Sequence, residues 1–164
     1  MAGKRLLARL VRLPLGSSFI TFGTWLLVPR HRLGAVVVAF DDAGRVLLLR
    51  HVFHPEAPWG LPGGWVARGE TPQETARREL LEETGLTARL GPVVHVSRER
   101  RPAHLTIAFA GRIEGGEPRL SGEILEARYF PADALPAGTD DAVAATITAA
   151  LRHPQPTQEL RHDA

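Results

Sequence analysis

The chain has 164 residues, a length that suits one domain with a short extension, and a domain of this size buries enough surface for a proper core. It contains no cysteine, which excludes disulfides and thiolate zinc sites and leaves the redox compartment open. The net charge of +2 is unevenly spread: Lys4, Arg5, Arg9, Arg12, Arg30 and Arg32 stand near the N-terminus with no acid among them, while the rest of the chain is mildly acidic, which argues against a broad nucleic-acid footprint.

Residues 1–32 form a basic, partly apolar extension. Lys4 to Leu13 mixes Leu and Val with Arg at helical spacing, and Pro14 and Gly16 interrupt it. Phe19 to Val28 is apolar but far shorter than the roughly 20 residues of a spanning helix. Basic and then apolar regions give the outline of a secretory signal, but no small-residue cleavage pattern follows Val28. The expectation is a helix or hairpin packed on the domain or on a partner subunit, which leaves a homodimer open. A basic amphipathic arm making peripheral contact with an anionic membrane surface through residues 1–30 is the second reading. Either places the protein in the cytoplasm, the second at the membrane surface.

From Leu33 the pattern turns to strand. The β-branched run "GAVVVAF", the turn "DDAG" from Asp41 to Gly44, and "RVLLLRHV" read as a hairpin. "HPEAPWGLPGG" reads as a loop because Pro55, Pro58 and Pro62 oppose helix. "GPVVHVSRERR" and "HLTIAFAGRIEG" are two more strands joined by an arginine-rich connection, and "EARYF" is a short one before the turn "PADALP". "TDDAVAATITAALRH" predicts a helix with Thr139 as N-cap and acids in its first turn. Residues 33–153 then form one α/β domain, a mixed sheet with helices packed on it, and 154–164 a polar, flexible tail.

Between these strands, local signals agree on a second helix. Thr71 is a good N-cap, Pro72 suits the first helical position and Glu74 completes a capping box. The helix runs through "PQETARRELLEET" to Gly85, which can take the left-handed conformation that ends it. With Ala76 and Leu80 facing the sheet, Glu79, Glu82 and Glu83 fall at i, i+3 and i+4 on one face, where like charges cost a few tenths of a kcal/mol per pair, ~0.2–0.5. A solvated acidic face relieved by Arg77 and Arg78 would account for this. So would a divalent cation held by the three carboxylates, and hard oxygen ligands without His or Cys favour Mg²⁺ or Mn²⁺.

Gly64, Glu70, Arg78, Glu79, Leu80, Glu82, Glu83, Gly85 and Leu86 together resemble the Nudix box at every defined position. The resemblance covers Leu33 to His153 and implies a Nudix-type α/β/α sandwich around a mixed β-sheet. It also implies a hydrolase that cleaves a nucleoside diphosphate linked to another moiety, using Mg²⁺ or Mn²⁺. Carried over, Glu79, Glu82 and Glu83 with the carbonyl of Gly64 (or of Gly63) are metal ligands, and Arg78 orients the glutamates with Glu70. The general base is Glu79 or a glutamate of a later loop, for which Glu123 is the candidate and Glu126 the fallback. Glu114 and Glu117, in a turn, are read as solvated.

Arg50 and His51 at the end of the second strand, with Arg98, Arg101 and His104, are candidates for the substrate cleft. Trp59 and Trp65 flank the glycine loop and can stack on a base or pack. Pro102 lies where a proline resembles a marker of ADP-ribose pyrophosphatases, although residues 1–32 do not resemble the extra N-terminal β-domain many of those enzymes carry. The substrate stays open among ADP-ribose or nucleotide sugars and nucleoside triphosphates. A non-catalytic Nudix-fold nucleotide-binding or sensor module is the rival reading, against which the box is intact.

Overall fold

The computed structural model of the protein describes Phe22, residues 31–100 (Arg100 by its backbone) and residues 103–153. The expectations for the N-terminal extension, for Arg101 and Pro102 and for the tail fall outside the described residues, Phe22 apart. Contacts separate residues 1–31 from Arg32–Ala164, and the sheet and its two helices belong to the second unit. Among the described residues no helix is long and apolar enough to cross a membrane.

Strands β1 (Arg32–Phe40) and β2 (Val46–His51) form the expected hairpin, but they pair only beside its turn, Phe40 with Val46. Asp41 builds the turn: its Oδ1 accepts from the N–H groups of Ala43 and Arg45 at 3.0 and 2.8 Å, and Gly44 supplies the positive φ of 74°. Beyond the turn the strands splay, and each takes other partners. Trp59–Gly60 (β3) and Gly63–Trp65 (β4), in a stretch that reads as loop, are short strands paired with β2 and β1 respectively. Their prolines sit outside the paired residues or, as Pro62, between the two strands, so the pairing that makes them strands is tertiary and leaves no local signal. Gly63 is required by proximity, since a Cβ there would stand 2.3 Å from the carbonyl of Ala35 on β1.

The remaining strands are longer than the pattern predicts. β5 (Leu86–Arg100) starts five residues earlier than expected, directly after the helix, and forms a bulged antiparallel pair with β6 (Ala103–Gly116). β7 (Ile124–Phe130) lies antiparallel along β2. β1 and β6 run parallel from Arg32 opposite His104 to Phe40 opposite Arg112, which makes the seven-stranded sheet mixed.

Helix α1 (Pro72–Thr84) has the predicted bounds, with the Thr71–Glu74 capping box formed and Gly85 left-handed at φ 73°. Helix α2 (Asp141–Leu151) is capped by Asp140, whose Oδ1 accepts from Ala142 N–H at 2.7 Å. Thr139, the expected cap, instead donates its hydroxyl to the carbonyl of Pro136. The helices cover opposite faces. Ala35, Val37 and Ala39 of β1 pack with Leu47 and Leu49 against Ala76 and Leu80 of α1. Val38 and Phe40 pack with Val46 and Leu48 against Ile147 and Ala150 of α2. Burial on both faces explains why β1 reads as a continuous hydrophobic run, and the result is the α/β/α sandwich that the resemblance implies.

Leu80 is fully buried where α1 meets the sheet. Leu80→Ala is expected to lower the unfolding free energy by about 2–5 kcal/mol, read from the denaturation midpoint at unchanged slope.

Candidate functional site

The rotational phase set by Ala76 and Leu80 brings Glu79 and Glu83 to the Gly63–Gly64 segment of β4, while Glu82, on the same flank of α1, is exposed and meets Arg78. The fit is close. A Cβ on Gly64 would lie 2.3 Å from Oε1 of Glu79, so only glycine leaves that carboxylate its place. Gly63 donates its N–H to Oε2 of Glu83 at 3.0 Å. Backbone of one strand and side chains of one helix thus face each other across a small polar space.

Arg78 binds this arrangement together. Its Nε and Nη2 donate to the two oxygens of Glu70 at 2.8 and 3.1 Å, the bidentate geometry that suits a planar guanidinium. Nη1 donates to Glu79 Oε1 at 2.9 Å and to Glu82 Oε2 at 3.0 Å, and Nη2 reaches the carbonyl of Trp65. Glu70 is held further by the hydroxyl of Thr75 at 2.8 Å and the N–H of Ala67. Hydrogen bonds from Arg78, then from Thr75, hold the Glu70 carboxyl well below the usual range, at about 2. The same bond to Glu70 chiefly raises Arg78, against burial.

Glu83 is the opposite case. Burial pushes its pKa up to about 8, the Gly63 N–H opposes this, and the charges of Glu79, Glu123 and Glu82 add to it. As they stand, the described residues contain no group of three His, Cys, Asp or Glu poised around a single cation position: Glu79 and Glu82 turn to Arg78 and Glu83 to Gly63. Even so, the donor set suits a hard cation. The available atoms are all oxygens, Gly64 leaves room for a carboxylate beside the backbone, and Glu83 is a half-buried acid among like charges that positive charge would relieve.

Glu123 precedes β7, exposed, close enough for its charge to bear on both Glu83 and His51. Its carbonyl accepts from Val52 N–H at 3.0 Å. Glu126 pairs with Arg128. Glu114 lies in β6, ion-paired with Arg89 at 2.7 Å, while Glu117 is exposed.

The cationic candidates diverge. His51 lines a cavity of about 390 Å³, and burial, then His54, lowers its pKa while Glu123 opposes this. His104 lines the same cavity, whereas Arg50 and Arg98 are exposed and line neither it nor the smaller one beside it. Strand alternation explains Arg98, because its neighbours Ser97 and Glu99 face the cavity. Trp59 is buried edge-to-face on Phe130 at 5.0 Å and also forms cavity wall, while exposed Trp65 packs edge-on to His104 at 4.7 Å. Ser97, Glu99, Thr106 and Asp140 escape a reading by motif. Their signal is the alternation of S-x-E on one strand and H-x-T on the next, hidden in a stretch dominated by arginine.

Known proteins share the fold and the sequence pattern of this domain. The model of the NUDIX domain matches residues 30–151, and the chain belongs to that family. An ADP-ribose pyrophosphatase from Streptococcus suis has a similar fold, with a TM-score of 0.63 and 25% identity over 76% of this chain and 94% of that one. A putative 8-oxo-dGTP diphosphatase of Bacillus subtilis is 36% identical over 54% of this chain. An ADP-ribose pyrophosphatase of Methanocaldococcus jannaschii is 32% identical over 65% of it. The matched stretches span 58% and 66% of these two relatives.

Because Glu83 titrates near 4.5 when unfolded and at about 8 when folded, the folded state holds an extra proton between these values. Without divalent cation, this group's contribution to stability is full below pH 4.5 and lost as pH rises through 8. A melting series over that range should fall more steeply for the natural chain than for Glu83→Gln, and added Mg²⁺ should restore stability most above pH 8.

Proposed function

We propose that this chain is a Mg²⁺- or Mn²⁺-dependent pyrophosphohydrolase that cleaves a nucleoside diphosphate linked to another moiety by attack of water on a phosphorus. The observation that carries this reading is the capped helix presenting Glu79 and Glu83 to the Gly63–Gly64 backbone, with Arg78 clamped on Glu70 and drawing Glu82 alongside Glu79. On this reading Glu79, Glu82, Glu83 and the Gly64 carbonyl hold the metal. The bound cation supplies positive charge against the pyrophosphate and lowers the pKa of coordinated water.

The chain's own residues do the remainder. Arg78, fixed by Glu70, sets the directions of the Glu79 and Glu82 carboxylates, as outer partners do at metal sites. A carboxylate oxygen of Glu79 or of Glu123 takes the proton from the attacking water. Glu123 is supported by its exposure and its closeness to Glu83. The substrate falls among the classes named for the relatives: ADP-ribose, an oxidised deoxynucleoside triphosphate or RNA, the last through the RNA pyrophosphohydrolase of Caulobacter vibrioides, 48% identical over 63 residues.

Glu82→Gln and Glu83→Gln are each expected to lower kcat by at least about 100-fold while circular dichroism and melting show a folded protein, and chelation of divalent ions should stop the natural chain. Undiminished turnover in either variant sinks the mechanism, and a natural chain that binds nucleotides yet cleaves none marks a binding module. Replacing Glu79 and Glu123 singly separates the candidate bases: the true base flattens the acidic limb of the pH–rate profile when changed to Gln.

A further inference from the structure

The 390 Å³ cavity lies on the side of the sheet covered by α2 and is of ligand size. Its floor is two cross-strand pairs, Ser97 with Thr106 and Glu99 with His104, beside Val36 of β1. Its walls are Trp59, Gly60 and Leu61 on one side and Asp140, Val143 and Thr146 at the start of α2 on another. A second cavity of about 140 Å³, lined by Gly34, Gly63, Gly64 and Trp65, shares Val36, His104 and Thr106 with the first. The two adjoin through these shared residues as one cleft, and Gly63 and Gly64, which also meet Glu83 and Glu79, border its smaller end.

The ends of this cleft differ in chemistry. The end at Gly63–Gly64 is where cation and phosphates meet in the function proposed above, on which this inference rests. The large end has apolar walls, the two acids Glu99 and Asp140 and the three histidines His51, His54 and His104, and none of the described residues lining it is Arg or Lys. Trp59 and Leu61 suit a flat group, and the carboxylates suit one that offers hydrogen-bond donors.

Glu99 is built for such a group. The Ser97 hydroxyl donates to its Oε1 at 3.0 Å, which fixes the carboxylate in the cavity and leaves Oε2 and further lone pairs to accept. Asp140, its Oδ1 engaged as the α2 cap, adds negative charge to the wall. Among nucleobases only guanine offers two adjacent donors, N1–H and N2–H₂, on the edge that a carboxylate meets with both oxygens. Adenine and cytosine place a ring acceptor beside their single amino group, and uracil sets its N3–H between two carbonyls.

We propose that this cavity is a guanine-selective base pocket in which the Glu99 carboxylate, steadied by Ser97, accepts hydrogen bonds from N1–H and N2–H₂. The substrate is then a guanosine or deoxyguanosine compound carrying the pyrophosphate.

Nucleosides test the pocket without catalysis. In calorimetric titrations without divalent cation, the natural chain should bind guanosine about 10-fold or more tighter than inosine, which lacks the 2-amino group, and than uridine. Glu99→Gln should lose about 10- to 100-fold in guanosine affinity and with it the preference. Guanosine binding no tighter than inosine or uridine in the natural chain overturns the proposal, as does an undiminished preference in the variant. In Mg²⁺ turnover assays the kcat/KM ratio of guanosine to uridine triphosphate should exceed one and fall in Glu99→Gln; a ratio unchanged by the variant also overturns it. Preferential guanosine binding with no cleavage of any nucleotide leaves the pocket standing and removes the pyrophosphohydrolase reading.

Discussion

Four glutamates share a small volume at one end of this protein, and a single guanidinium makes that crowding compatible with a folded chain. Arg78 spends two donors on Glu70 and one nitrogen on both Glu79 and Glu82. The bond to Glu70 fastens the loop before α1 to the middle of the helix. That brace positions the glutamate face relative to β4. Lysine would supply the same charge but not the fork, so the geometry and not only the neutralisation depends on arginine. Glu83, which Arg78 does not reach, keeps the strain of burial among like charges, and it is there that positive charge from outside has most to gain.

The sheet provides the other half of the arrangement. A conventional hairpin would have left β1 and β2 zipped together and no edge for Gly63–Trp65. Splaying after the Phe40–Val46 pair opens β1 to β4 and β2 to β3, and the glycines let β4 lie against its neighbours without side chains in the way. The cleft beside Gly63 and Gly64 follows from that opening. Its two ends are close because the strands that part to admit β4 also border the cavity under α2.

Features encoded within one turn of chain were legible from the residues. Helix α1 could be bounded to the residue because Thr71, Pro72, Glu74 and Gly85 each act on neighbours at most a few positions away. Helix α2 was legible except for its first residue, since Thr139 and Asp140 both cap well and only the carbonyl of Pro136 decides between them. Strands β3 and β4 were illegible because nothing in "WGLPGG" favours extension; their pairing partners are supplied by β2 and β1. Spacing along the chain marks the box residues, but the sharing of Arg78 among three glutamates depends on how the loop before α1 folds back on the helix. Glu99 stayed hidden because its meaning depends on His104 and Thr106 across the strand and on a helix over forty residues later.

Strand β1 serves both halves of the molecule at once. Ala35, Val37 and Ala39 support the helix that carries the glutamates, while Val36 and Val38, one residue out of phase, face the cavity and the second helix. No residue separates the two duties. A backbone shift along this strand would displace the support of the glutamate helix and the border of the cavity together. The cavity residues of β5, β6 and the start of α2 lie off β1, so their side chains can change without disturbing the support of the glutamate helix. That division couples the two faces through β1, so a substitution there reaches the glutamate helix and the cavity at once.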